Sequence, residues 1–319
     1  MMPLPRSTQA IVQAPRAVVM IRPHHFTPNP QTAADNAFQT VDNRAADAVA
    51  RAAYEEATEA ARQLEALGVT VHKFEDETTE TPDSCFPNNW FSTHSGGHVA
   101  IYPMYSPNRR CERRSDVIEM LKHRYRVQDV IDYSGLEEDE VFLEGTGAMV
   151  LDHIERVAYA ARSNRTNEVA LERFCTHFNY EPVVFDACDA VGRPVYHTNV
   201  LMCIGTRFAM IGLDTIRLPA RRAEIAQRLA DGGRDLVDLT HEQIGDFAGN
   251  AIELTGTAGP VLALSARAWA ALRPEQQRVL ESHATILPLS IPTIERAGGS
   301  VRCMLAGVHL AARPGRCPD

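Results

Sequence analysis

The stretch Val195-Tyr-His-Thr-Asn-Val-Leu-Met-Cys-Ile-Gly-Thr-Arg-Phe-Ala-Met-Ile-Gly-Leu213 decides the fold. A polar start, His197-Thr-Asn199, leads into two apolar runs flanking Gly205-Thr206, which predicts a β-hairpin over 200–213. Pro219 then opens a segment rich in Ala, Arg and Leu that ends at Gly232-Gly233, a helix with Pro inside its start and Gly past its end. Leu236-Val-Asp-Leu239 is a short strand. The unit reads polar loop, hairpin, helix, strand.

Outward from this unit the same order recurs. Hairpins are expected over 148–161 and 251–265, each followed by a helix (to 178; 267–281) and a strand (182–186; 286–289). Upstream, strands are expected at 98–104 and 127–133 around a helix at 116–124. A strand at 17–22, a helix over 41–67 stopped by Gly68 and a strand at 69–74 open the chain. A strand over 301–310 closes it. The opening loops fall in register: Glu144, His197, Asn250 and Cys303 are spaced at 53 or twice 53 residues, with Asn250 completing the series, and Asn89 lies 55 residues before Glu144. Four full units therefore start near 89, 144, 197 and 250, and the two terminal remnants join as a fifth. One such unit cannot bury both faces of its sheet alone, so the units must pack on neighbours. A ring closed by pairing the last strand with the first leaves no exposed end. The five opening loops then converge on one axial cavity. The expected organisation is a single domain over 1–319, α/β in class, with a short flexible arm at about 1–15.

The chain is 319 residues, 45% hydrophobic and 23% charged, the proportions of an ordinary globular protein. Its net charge of −9 argues against a nucleic-acid partner, which requires a clustered basic face. The strongest basic cluster, Arg109-Arg110 with Arg113-Arg114, lies beside Glu112 and Asp116 and reads as a solvated helix start. No apolar run approaches the roughly 20 residues that span a bilayer, so no membrane partner is expected. The seven cysteines form no CxxC pair. Reduced thiols in the cytoplasm are expected, and the histidines and cysteines make no convincing metal-ligand set, so neither metal nor cofactor is expected.

Six segments carry chemistry: Met20-Ile-Arg-Pro-His-His-Phe, Cys85-Phe-Pro-Asn-Asn-Trp-Phe, Phe142-Leu-Glu-Gly-Thr-Gly, Arg162-Ser-Asn-Arg-Thr-Asn, Val195-Tyr-His-Thr-Asn-Val and Gly298-Gly-Ser-Val-Arg-Cys-Met. In this order they resemble the guanidino-group-modifying enzymes, the pentein superfamily of five-bladed α/β propellers built of ββαβ units around a pseudo-fivefold axis. Within it they are most similar to citrulline-utilisation hydrolases and related amidinotransferase-like proteins. The resemblance implies Cys303 as nucleophile, His197 as general acid and base, and Glu144 as the acid that grips substrate N–H groups and orients the histidine. These residue types suit the task. A thiolate attacks a trigonal carbon bearing nitrogens. An imidazole can protonate the leaving amine and then deprotonate water. Arg165 resembles an α-carboxylate-binding arginine, whose fork suits a bidentate carboxylate, though a surface ion pair is an equal alternative.

The departures bear on substrate. Arginine deiminases clamp a cationic guanidinium between carboxylates, whereas Pro87-Asn88-Asn89-Trp90 and His197-Thr198-Asn199 present amides at the matching places. An amide both donates and accepts, so Asn89, Asn199 and Asn250 suit a neutral urea, and citrulline is favoured over arginine. The alternatives are arginine deimination, dimethylarginine hydrolysis or amidinotransfer, and, from another class, a non-catalytic propeller binding module. The partner is expected to be a small ureido or guanidino amino acid, with a homo-oligomer possible.

Overall fold

The computed structural model describes residues 11–314. Its strands form five three-stranded sheets, the five blades that the period demands. In the blade of the opening stretch, Met202–Ile204 pairs antiparallel with Phe208–Ile211, which pairs parallel with Asp235–Asp238. Helix Pro219–Asp231 makes the crossover. The same pattern holds for Met149–Asp152, Val157–Ala161 and Glu181–Phe185, and for Ile252–Gly256, Gly259–Ser265 and Thr285–Leu289. The fifth blade joins the two ends of the chain. Ala306–Val308 pairs antiparallel with Ala17–Pro23, in the register Ala17 to Val308, and Thr70–Asp76 lies parallel on the other side.

Middle strands such as Val157–Ala161 and Phe208–Ile211 and inner ones such as Met149–Asp152 and Met202–Ile204 are buried throughout, whereas outer strands such as Glu181–Phe185 keep residues in water. The blade helices cover the outer faces. Helix Ala46–Ala66 presents Val49, Ala53, Ala57, Ala60, Ala61 and Leu64 as one buried stripe at the helical period.

Four expectations are corrected. The first blade contains an additional strand, Phe91–His94, paired with His98–Ile101; Phe-Ser-Thr-His carries little β-branched signal. The helix expected over 267–281 is two helices, Ala266–Ala271 and Pro274–Glu281. Pro274 lacks an N–H and holds Arg273 extended at ψ 152°, so the first helix cannot continue. The last strand is shorter: Val301–Met304 is a helical turn and only Ala306–Val308 is strand, which places Cys303 on the turn. Of the expected arm, residues 1–10 lie outside the described residues, but Gln13, Ala14 and Pro15 are buried. Gln13 donates to the carbonyls of Leu151 and Ile204 at 2.9 and 3.0 Å, tying two blades together.

Candidate active site

Each inner strand is entered through a buried turn, and these turns carry the in-register residues. Asn89 ends the turn Pro87–Asn89, Glu144 caps Gly145–Ala148, His197 caps Thr198–Val200, Asn250 precedes Ile252, and Cys303 lies in Val301–Met304. All five are buried. Cys303, His197, Asn89 and Arg165 line one cavity with Asp83, Arg109 and Asn36. Glu144 bonds to His197, and Asn199 and Asn250 bond to Cys303. Every site residue expected from the sequence is thus drawn into one cluster.

The Cys303 sulfur accepts from two amides, Asn199 Nδ2 and Asn250 Nδ2, each at 3.3 Å. Asn250 is fixed by its other bonds, Nδ2 to the Asn199 carbonyl at 3.0 Å and Oδ1 from the Arg302 amide at 3.0 Å. Two amide N–H groups are thus aimed at one sulfur. The Asn199 Oδ1 is buried without a partner.

His197 Nε2 lies 2.8 Å from Glu144 Oε2. Burial opposes ionisation of Glu144, but Arg165, the His197 bond and Arg109 outweigh it and hold the carboxyl below the usual range. An ionised carboxylate only accepts, so His197 donates from Nε2 and Nδ1 is left as the base. Burial, only partly offset by Glu144, brings His197 down to about 4, so the ring rests neutral. Gly147 makes this packing possible: a Cβ there would stand 2.8 Å from His197 Nδ1 and 2.3 Å from the Asn89 amide.

Two readings change with the structure. Arg109, expected at a solvated helix start, is 2% exposed. It forks onto Glu112 at 2.9 and 2.8 Å, lies 3.6 Å from Glu144, and donates to the Asn89 oxygen at 2.9 and 3.1 Å. Arg165 is equally deep, so it makes no surface pair. Its Nε donates to Asp35 at 3.1 Å and its Nη1 to Glu144 at 3.4 Å, with Tyr196 under the guanidinium. Sequence reasoning missed Asp83 and Asp35. Asp83 Oδ2 accepts from Asn29 at 2.9 Å, and Oδ1 is buried without a partner. The cavity is therefore not carboxylate-free, as the amide motifs had implied. Burial, opposed by Arg109, raises the Asp83 carboxyl, and the same pair of effects lifts Glu112 to about 7. The cluster thus holds more acid than its two arginines neutralise.

A family model described as N,N dimethylarginine dimethylhydrolase, eukaryotic, matches residues 22–310. The chain belongs to this family. It is a pentein, one of the guanidino-group-modifying hydrolases. Among solved structures, the N-terminal domain of ArgZ, a cyanobacterial arginine dihydrolase crystallised with its substrate, superposes with a TM-score of 0.72 at 14% identity, covering 92% of this chain and 98% of that one. AgrE bound to L-arginine gives 0.70 at 15% identity, covering 94% of this chain and 41% of that one. A dimethylarginine dimethylaminohydrolase adduct gives 0.62 at 13% identity, covering 92% and 99%. No curated protein matches the sequence. Among the described residues no helix is long and apolar enough to cross a membrane.

Proposed function

We propose that this pentein hydrolyses the terminal ureido C–N bond of citrulline through a covalent intermediate on Cys303. The observation that carries the substrate is the pair of amides on the sulfur with the Asn199 oxygen left free, a donor and an acceptor side by side. The Cys303 thiol gives its proton to His197 Nδ1 as the sulfur bonds to the ureido carbon, and the carbonyl π pair moves to the ureido oxygen. The Asn199 and Asn250 N–H groups can follow that charge, and the Asn199 oxygen takes a substrate N–H. His197, protonated in the same step, gives its proton to the departing ornithine amine, leaving an S-carbamoyl enzyme. Neutral His197 then deprotonates a water that attacks the carbamoyl carbon. The C–S bond breaks, His197 returns its proton to the Cys303 sulfur, and the released carbamate decomposes to ammonia and CO₂. A structure of ArgZ covalently bound to a reaction intermediate supports a covalent route in this fold.

At rest the cavity holds only about 10 Å³, on the order of one water, so the substrate enters by displacing part of the wall. Asp35 stands on Arg165 as a carboxylate in the place a substrate α-carboxylate would take. Asp83 Oδ1 is free to receive the α-ammonium. The same free carboxylate favours a second reading, in which a guanidinium is the group attacked and arginine is the substrate. Incubation with citrulline, with assay of ornithine and ammonia, is expected to show turnover that Cys303→Ala abolishes. Citrulline accumulating from arginine with none consumed would overturn the substrate. The intact mass of quenched enzyme separates the chemistries, because a carbamoyl increment marks citrulline and an adduct retaining the whole amino acid marks deimination.

A further inference from the structure

Behind the catalytic cluster the axis continues as a second cavity of about 50 Å³. Its walls are the inner strands of all five blades: Phe91–His94, Met149–Asp152, Met202–Ile204, Ile252–Gly256 and Ala306–Val308 each contribute lining residues. Gln13 lies across its far end. The catalytic loops all precede these strands, so the two cavities sit at successive depths along one axis.

Arg302 faces this second cavity. The buried arginines Arg109, Arg165 and Arg234 each meet a carboxylate, whereas Arg302 is half-buried. Among the described residues Arg302 makes no ion pair, and its side-chain hydrogen bond is from Nη1 to the Leu305 carbonyl at 3.0 Å. A guanidinium drawn part-way out of water without a counter-charge carries a cost that an anion would relieve. The cavity also holds His153 and His309, their ring centroids 4.0 Å apart and the planes tilted by 30°. His153 Nδ1 is bonded to the Tyr180 hydroxyl at 2.8 Å, leaving its other nitrogen free. Burial and the charge of Arg302 press His309 down to about 4, and burial, with Arg156 and Arg302 nearby, presses His153 well below its ordinary value. Both rings are therefore neutral, and Arg302 is the cavity's formal positive charge. Glu253, the one lining carboxylate, is occupied elsewhere: its Oε2 accepts from the Thr206 amide and hydroxyl, each at 2.6 Å.

We propose that this axial cavity binds a small monovalent anion, a halide or an oxyanion the size of formate or bicarbonate, on the Arg302 guanidinium. The volume admits a few non-hydrogen atoms and excludes an amino acid. The site uses none of the groups assigned to the hydrolysis, so it stands or falls separately from the proposed function.

Bromide is the probe. Crystals soaked in sodium bromide are expected to show an anomalous peak in the cavity beside Arg302. In solution, thermal unfolding at fixed ionic strength, with gluconate replaced stepwise by bromide, is expected to show a saturable rise in Tm, because ligand bound only to the native state stabilises it by mass action. Arg302→Gln should lose that rise. Glu253→Gln removes the competing negative charge and should bind bromide several-fold more tightly. A cavity without bromide in the soaked crystal, or a Tm rise that Arg302→Gln leaves intact, overturns the proposal. If Arg302→Gln does not fold, Glu253→Gln decides: unchanged or weaker bromide affinity overturns it.

Discussion

Gly147→Ala tests the catalytic geometry at the point of least tolerance. The added Cβ would lie 2.8 Å from His197 Nδ1 and 2.3 Å from the Asn89 amide, where ordinary contact begins at 3.4 Å. The imidazole must therefore retreat by roughly 0.6 Å and the amide by about 1.1 Å. Neither can do so freely, since His197 is anchored on Glu144 and Asn89 on Arg109. Overpacking of this kind costs about 1–3 kcal/mol of stability. Misplacing a catalytic group by about 1 Å costs on the order of 10²-fold in rate. The expected variant is folded, with kcat for ornithine release reduced about 100-fold and KM changed much less. Steady-state kinetics with urea denaturation would measure both. A variant with kcat within about twofold of the parent, and a crystal structure showing the methyl accommodated, would refute the idea that His197 must sit where it does.

Arg109→Met leaves Glu112, Glu144 and Asp83 without their shared cation, so urea midpoints should show a loss of about 3–5 kcal/mol. Asp83→Asn should spare citrulline turnover more than arginine turnover, shifting the ratio of kcat/KM values at least about tenfold toward the neutral substrate; an unchanged ratio would remove Asp83 from substrate selection. For pH, His197 folded titrates at about 4 against roughly 6.5 unfolded, so the unfolded chain binds the extra proton and stability falls as pH drops between those values. That amounts to about 2 kcal/mol lost at pH 5. Glu144, depressed when folded, adds its own loss only below the ordinary carboxylate range, so a shallower fall for His197→Asn between pH 6.5 and 5 isolates the histidine. Parallel curves for the two proteins would contradict it.

By itself the sequence determined the repeat, the blade order and the closure of the ring. Hairpins such as 202–211 are local, set by a turn and two apolar runs, and the 53-residue step places a loop residue at the head of each inner strand whatever the tertiary detail. The same register identified Glu144, His197, Asn250 and Cys303, because a propeller converts equal sequence phase into a common axis. Phe91–His94 was unreadable from its own residues, being stabilised by the blade around it rather than by β-propensity. The helical turn under Cys303 was hidden inside an apolar run that reads equally as strand.

Only the tertiary structure decided the charges. Arg109 looks like any solvated arginine until the strand and turn before it carry it inward onto Glu112 and Asn89. Asp83 and Asp35 lie outside the repeated phase, on irregular segments that bring Asp83 to the cavity and Asp35 onto Arg165, so no spacing announces them. Local patterns fix which groups share a face and where the chain turns. Electrostatic balance is a sum over groups distant in sequence, and it exists only once folding has removed them from water.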